Sequence, residues 1–234
     1  MVGETLNVNN LTVAYADGHV AADGVSFALG YGENAALIGA NGAGKSSLLL
    51  ALVGVLPAKS GEIRAGDLIL GKKTLRELRS RVGLVFQNPD DQLFMPSIFE
   101  DVAFGPRSFG LGEAETAERA EAVLARLGIS ELRDRSPLKL SGGEKRLCAI
   151  AAVLATEPEF LLFDEPTAFL DPRAKRGLAR TLSELPQGKL IATHDLPFAA
   201  ETCSRVLLLK NGRLAASGGA ELLRDAELLE RAGL

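Results

Sequence analysis

The sequence predicts an α/β fold, in which a mixed sheet flanked by helices follows an antiparallel β-subdomain and is interrupted by a helical insertion. Three observations predict it. Short alternating apolar runs open the chain, a glycine-rich stretch of the form G-x-x-x-x-G-K-[ST] follows at residues 39–46, and regular β/α alternation resumes only after a long helical segment.

Leu6, Val8, Leu11, Val13 and Tyr15, then Val25, Phe27 and Leu29, alternate as antiparallel strands do. Residues 34–38, Asn-Ala-Ala-Leu-Ile, read as a short buried strand, and residues 46–55 as an apolar helix. The loop between them therefore presents a helix N-terminus to an anion. Its glycines let consecutive N–H groups converge, Lys45 brings a point charge to outer phosphates, and the Ser46 hydroxyl suits Mg²⁺. Gly39, Asn41, Gly42, Ala43, Gly44, Lys45, Ser46 and Ser47 are thus the candidate contacts to a nucleoside triphosphate.

Residues 82–86 are a further strand candidate. From Ser97 to about Pro158 the pattern turns helical, with Ala117, Ala120, Val123, Leu124 and Leu127 on one face and Glu113, Glu115, Glu118, Arg119, Glu121 and Arg126 on the other. The run 160–163 restores a strand, Asp171-Pro172 opens a helix, and residues 190–193 form another strand. Asn211-Gly212 marks a hairpin between 206–209 and 214–216, and residues 221–231 are expected as one closing helix. With one glycine-rich loop and no internal repeat, residues 1–234 read as a single nucleotide-binding domain containing a helical subdomain at roughly 88–158.

Composition excludes several function classes. The 234 residues are 47% hydrophobic, enough for a buried core, and carry a net charge of −4 with acidic and basic residues interspersed. Nucleic-acid partners, which call for a basic face, are disfavoured. Cys148 and Cys203 stand alone without metal-ligand spacing and are expected as packed thiols. No secretory signal and no apolar run of membrane-spanning length is evident, so a soluble chain is expected; the longest apolar run, 147–155, reads as a buried helix.

Two later motifs narrow the phosphate-loop reading. Leu140-Ser141-Gly142-Gly143-Glu144 leads into a helical run and Phe160-Leu161-Leu162-Phe163-Asp164-Glu165 ends an apolar strand; they resemble the signature and Walker B sequences of ABC-type ATPases. In the same order Gln87 resembles the Q-loop, Leu170-Asp171 the D-loop and His194 the switch histidine, so the resemblance covers essentially the whole chain. It implies ATP and Mg²⁺, with Asp164, Ser46 and Gln87 at the metal, Glu165 activating water, and Lys45, Gln87 and His194 completing the catalytic set. Tyr15 sits where the family stacks adenine, and Ser141, Gly142 and Gly143 would grip ATP held by a second subunit, in a homodimer or heterodimer. Ser141 and Glu144 also make a capping box, and both readings can hold together. His19 is expected as a surface loop residue. Glu144 replaces a common glutamine, and Phe169 a small residue beside the D-loop.

Residues 82–94, ending Gln87-Asn88-Pro89-Asp90-Asp91-Gln92-Leu93-Phe94, and the run Glu100-Asp101-Val102-Ala103-Phe104-Gly105-Pro106 resemble the energy-coupling factor (ECF) branch of ABC transporters. That implies an importer motor at the cytoplasmic face of the membrane, with an integral membrane coupling subunit and a membrane substrate-binding subunit as partners. Leu93 and Phe94 are expected to be exposed on that docking surface, with core packing as the alternative. The short C-terminal region resembles cobalt/nickel-transport ATPases; biotin or another vitamin is the alternative cargo, and a soluble non-transport ABC ATPase the alternative class.

Overall fold

A computed structural model describes residues 5–234. Thr5–Ala14 (β1) and Val20–Gly30 (β2) pair antiparallel, followed by the short strand Asn34–Ile38 (β3) and the helix Lys45–Leu52 (α1). Ala58–Ala65 (β4), Leu68–Ile69 (β5) and the helix Leu75–Arg81 (α2) come next. Val82–Val85 (β6) leads into three helices, Ile98–Ser108 (α3), Glu113–Arg126 (α4) and Gly142–Leu154 (α5). Phe160–Asp164 (β7), Pro172–Glu184 (α6), Gly188–Thr193 (β8) and Leu196–Thr202 (α7) restore the β/α alternation. Arg205–Lys210 (β9) and Arg213–Gly219 (β10) form the hairpin, and Ala226–Ala232 (α8) closes the chain.

The strands make two sheets. One is antiparallel, in the order β2-β1-β4-β5; the other runs β10-β9-β3-β8-β7-β6, parallel except for the β10 edge. The central parallel strands are apolar along their middle stretches, residues 35–38, 160–163, 190–192 and 206–209, because both of their faces are covered there. Ala35, Leu37, Phe160, Leu162, Leu190, Leu207 and Leu209 face α1 and the antiparallel sheet. Ala36, Ile38, Leu161, Phe163, Ile191, Val206 and Leu208 face the layer of α3 to α7. Asn211 and Gly212 both have positive φ, 48° and 75°, as a two-residue hairpin turn requires.

Several boundaries differ from expectation. Helix α1 begins at Lys45 and stops at Leu52, three residues short of Val55. The closing helix is broken: residues 220–224 form a 3-10 turn, and Asp225 accepts a hydrogen bond from the Leu228 N–H to start α8 afresh. Leu93 is not exposed; at 5% accessibility it belongs to the core beneath α3 and α5, whereas its neighbour Phe94 is 62% exposed. Leu93 packs into the core, while Phe94 meets the half-exposed Phe104 ring at the surface. Cys148 and Cys203 are buried free thiols.

Candidate active site

Five loops converge at the C-terminal edge of the parallel sheet, where crevices open in folds of this kind. Those after β3, β6, β7 and β8 bring the glycine-rich loop, Gln87, Glu165 and His194 to one cleft; the β1–β2 turn adds Tyr15 and His19. The cleft, about 380 Å³, lies within the range of small-molecule sites and is lined by Asn41, Gly42, Ala43, Gly44, Lys45, Ser46 and Ser47 on its floor.

The floor is shaped by close approach. Gly44 has φ 102°, and a Cβ there would lie 1.9 Å from the Ala21 carbonyl oxygen; a Cβ on Gly39 would lie 2.4 Å from that of Leu209. Any side chain at either position would push the loop off its supports. Gly44 caps α1 with no side-chain hydrogen bond and no acidic residue follows in the first turn, so the helix presents free N–H donors. Gly39 stands behind the cleft, and its carbonyl accepts from Lys45 Nζ at 2.7 Å, with Ala40 accepting at 3.3 Å.

The buried Lys45 ammonium also lies 3.6 Å from Glu165 Oε1, and Glu165 Oε2 lies 2.9 Å from His194 Nδ1 and accepts from the His194 backbone N–H at 3.3 Å. Glu165 holds φ 43°, a left-handed conformation that costs a non-glycine residue about 1–3 kcal/mol and is typical of functional positions. Its N–H donates to the Ala192 carbonyl at 2.8 Å, which pins the turn against β8. Beside it, Ser46 Oγ donates to Asp164 Oδ1 at 3.0 Å. Burial pushes the Asp164 carboxyl above its usual range, partly offset by the Ser46 hydrogen bond. A cation at this pair would relieve that desolvation.

Tyr15 hydroxyl and Ser47 Oγ are 2.8 Å apart, and the Tyr15 and His19 rings lie near-parallel with centroids 6.2 Å apart. His19 is exposed, as expected of a loop residue, but it lines the cleft, which its sequence setting gave no means of seeing.

The signature residues are elsewhere. Ser141 and Gly143 line a second depression with Glu144, Leu170, Asp171 and Ala174; its lining shares no residue with the first cleft. Gly142 lies between them, near the Phe169 carbonyl. The capping box is formed: the Glu144 N–H donates to Ser141 Oγ at 3.4 Å, and Glu144 Oε2 accepts from the Ser141 N–H at 2.8 Å. Phe169, 87% exposed with φ 63°, projects from the adjoining loop.

The sequence pattern of the ABC transporter family matches residues 22–168, more than half the chain. This chain belongs to the ABC transporter family. Its relatives include the energy-coupling factor transporter ATP-binding protein EcfA of Carboxydothermus hydrogenoformans, 43% identical over 98% of this chain and 86% of that protein. The cobalt import ATP-binding protein CbiO of Rhodobacter capsulatus is 46% identical over 96% of this chain and 82% of its own length. Among solved structures, cbiO1 from Clostridium perfringens, described as part of the ABC transporter complex cbiONQ, superimposes with a TM-score of 0.85 at 37% identity, covering 97% and 92% of the two chains. The ABC ATPase fold expected from the sequence is the one observed, and as a family member the chain is an ATPase that binds ATP. No helix among the described residues is long and apolar enough to cross a membrane.

Proposed function

We propose that this chain is the ATP-hydrolysing motor of an energy-coupling factor type importer, acting as a dimer on the cytoplasmic face of the membrane. The observation that carries the chemistry is the Lys45–Glu165–His194 cluster above an uncapped α1 N-terminus. ATP phosphates accept from the loop N–H groups of residues 42–47 while Lys45 turns from the Gly39 carbonyl to the outer phosphates. Tyr15 stacks on the base. Glu165 accepts a proton from the attacking water, and His194, held at 2.9 Å, fixes that carboxylate and contacts the terminal phosphate.

Ser46, Asp164 and Gln87 offer oxygen donors only, the set Mg²⁺ prefers, and Ser46 and Asp164 already lie at hydrogen-bond distance. They would hold the ion, with Asp164 reached through water; when bound it neutralises charge developing on the phosphate oxygens. The second half of each site comes from Ser141, Gly142 and Gly143 of the other subunit, in keeping with their separate surface.

The membrane partner would dock beside Gln87. Phe94 is exposed there, edge-on to the 45%-exposed Phe104 at 5.2 Å, an apolar pair suited to an amphipathic helix. The relatives named EcfA and CbiO support the ECF branch, and the CbiO relative supports cobalt as cargo, with nickel the second metal considered; cargo recognition is assigned to the membrane subunits. Phe94→Asp should leave ATPase activity of the isolated protein within about twofold, because the cleft is untouched, and reduce uptake by the assembled transporter at least tenfold by removing an aromatic anchor that docking would bury. Uptake of radiolabelled cobalt and nickel, with biotin as control, is the measurement. Normal uptake by a stably assembled mutant rules out docking at Phe94, and transport of biotin alone moves the cargo to the vitamin class. Leu93 would be a poor test site, since truncating such a core leucine costs about 2–5 kcal/mol.

A further inference from the structure

Arg146 is a charged residue buried where none of the expected roles places one. Its side chain is 1% exposed, and its guanidinium fork donates through Nη1 to the Phe86 carbonyl and through Nη2 to the Gln87 carbonyl, both at 2.6 Å. Nε has no partner and no carboxylate pairs with the charge at close range, although Asp164 lies near enough to stabilise it. Burial lowers its pKa to about 10, so it stays protonated at neutral pH. A desolvated charge of this kind is costly unless its hydrogen bonds are held in place, and here they are spent on two successive backbone carbonyls.

Those carbonyls belong to the loop that carries Gln87 into the ATP cleft, while Arg146 itself sits in the second turn of α5 and lines the signature depression. Two further contacts tie the same loop to the same helix, and a third ties the loop to itself. Lys145 Nζ meets Asp90 Oδ1 at 2.5 Å, Gln92 Nε2 donates to the Ala149 carbonyl at 2.8 Å, and Gln92 Oε1 accepts from the Phe86 N–H at 3.1 Å. Residues 86–92 and the first two turns of α5 are thus one hydrogen-bonded unit with an ATP-facing surface at each end.

We propose that Arg146 is the positioning residue that links these two surfaces, so that ATP gripped by Ser141 of one chain sets the placement of Gln87 at that chain's own ATP. The inference rests on the two-subunit site of the preceding section. It makes the two ATP sites of a dimer communicate through each subunit's interior. The planar fork reaches the two carbonyls from two separate nitrogens, a spacing that a single, shorter lysine nitrogen does not reproduce, so Arg146→Lys keeps the charge and loosens the link.

The test compares wild type, Arg146→Lys and Lys145→Ala as full-length proteins. ATP turnover is followed across ATP and protein concentration, with equilibrium binding of a fluorescent ATP analogue and thermal melting alongside. Wild type should respond sigmoidally to ATP. Arg146→Lys should lose about 10- to 100-fold in kcat, the scale expected for a catalytic group misplaced by an ångström, and its response should become hyperbolic. Its analogue affinity should stay within about twofold of wild type, since Lys45 and the loop floor are unchanged. Lys145→Ala should shift both readouts the same way by less.

A folded Arg146→Lys protein with wild-type kcat and a sigmoidal response overturns the proposal, and so does one whose turnover and analogue binding fall together with its melting temperature. If Arg146→Lys does not fold, Lys145→Ala decides, and wild-type behaviour there overturns the link. Wild-type turnover per chain that does not change on dilution to monomer overturns the two-subunit site, and the proposal falls with it; protein concentration separates that failure from failure of Arg146 alone.

Discussion

Glu165→Gln is expected to lower ATP turnover by about 10²–10⁴-fold, the usual contribution of a positioned general base, while ATP affinity is kept or tightened. The two effects separate because the residue carries two properties. As a base it must accept a proton, which an amide cannot do. As a charge it lies 3.6 Å from Lys45 inside the cleft, where it competes with the phosphates for the ammonium. The substitution removes that competitor while keeping the side chain's shape, so the nucleotide should bind at least as well and the unhydrolysed complex should persist. The strained backbone at φ 43° belongs to both residues alike, which makes a stability change an unattractive explanation for lost turnover. Phosphate release and nucleotide binding measured on the same preparation check the result. Turnover within tenfold of wild type would remove Glu165 from the base role, and His194, 2.9 Å from it, would become the next residue to test.

Much of this cluster was legible in the sequence because its parts are local. The glycine-rich loop, the Asp164-Glu165 strand end, the Asp171-Pro172 helix start and the Asn211-Gly212 turn each depend on residues within a few positions of one another. What escaped is decided by tertiary placement. Ala58–Ala65 is exposed along its first half and offers little alternation, so β4 shows itself only by pairing with β1, Ile63 opposite Val8 and Ala65 opposite Leu6. Leu93 and Phe94 have the same character in sequence, and only the packing of α3 and α5 separates core from surface. An arginine in a helix ordinarily marks a solvated face, and nothing near Arg146 in sequence announces the carbonyls some 60 positions earlier that hold it. Two omissions had usable local signals. Asp195 with Pro197 announces α7, and Asp225 announces the break before α8; both aspartates accept hydrogen bonds from the N–H three residues on.

The separation of the glycine-rich cleft from the signature depression gives the other large effect. A Lys45→Ala chain and a Ser141→Arg chain should each be nearly inactive alone, yet a mixture should regain turnover. The first substitution removes the phosphate-binding charge from the cleft; the second fills the depression at the start of α5 with a bulky side chain. In a mixed dimer one site combines both defects and the other combines the intact Lys45 of one subunit with the intact Ser141 of its partner. With random pairing half the dimers are mixed and half their sites intact, so recovery should reach about one quarter of wild-type turnover if the two sites act independently, and less to the extent that Arg146 couples them. Loss of the Ser141 cap is a side effect of about 1 kcal/mol, so melting curves of each chain accompany the assay. Recovery should rise with protein concentration, because it needs association. A mixture no more active than its components would show either that Ser141 does not act on the partner's ATP or that one intact site cannot turn over without the other, and the protein-concentration dependence of wild-type turnover separates the two. Full activity of the Ser141→Arg chain alone would show the first of these, since an obstructed signature could then be dispensed with and each chain would hydrolyse ATP in its own cleft.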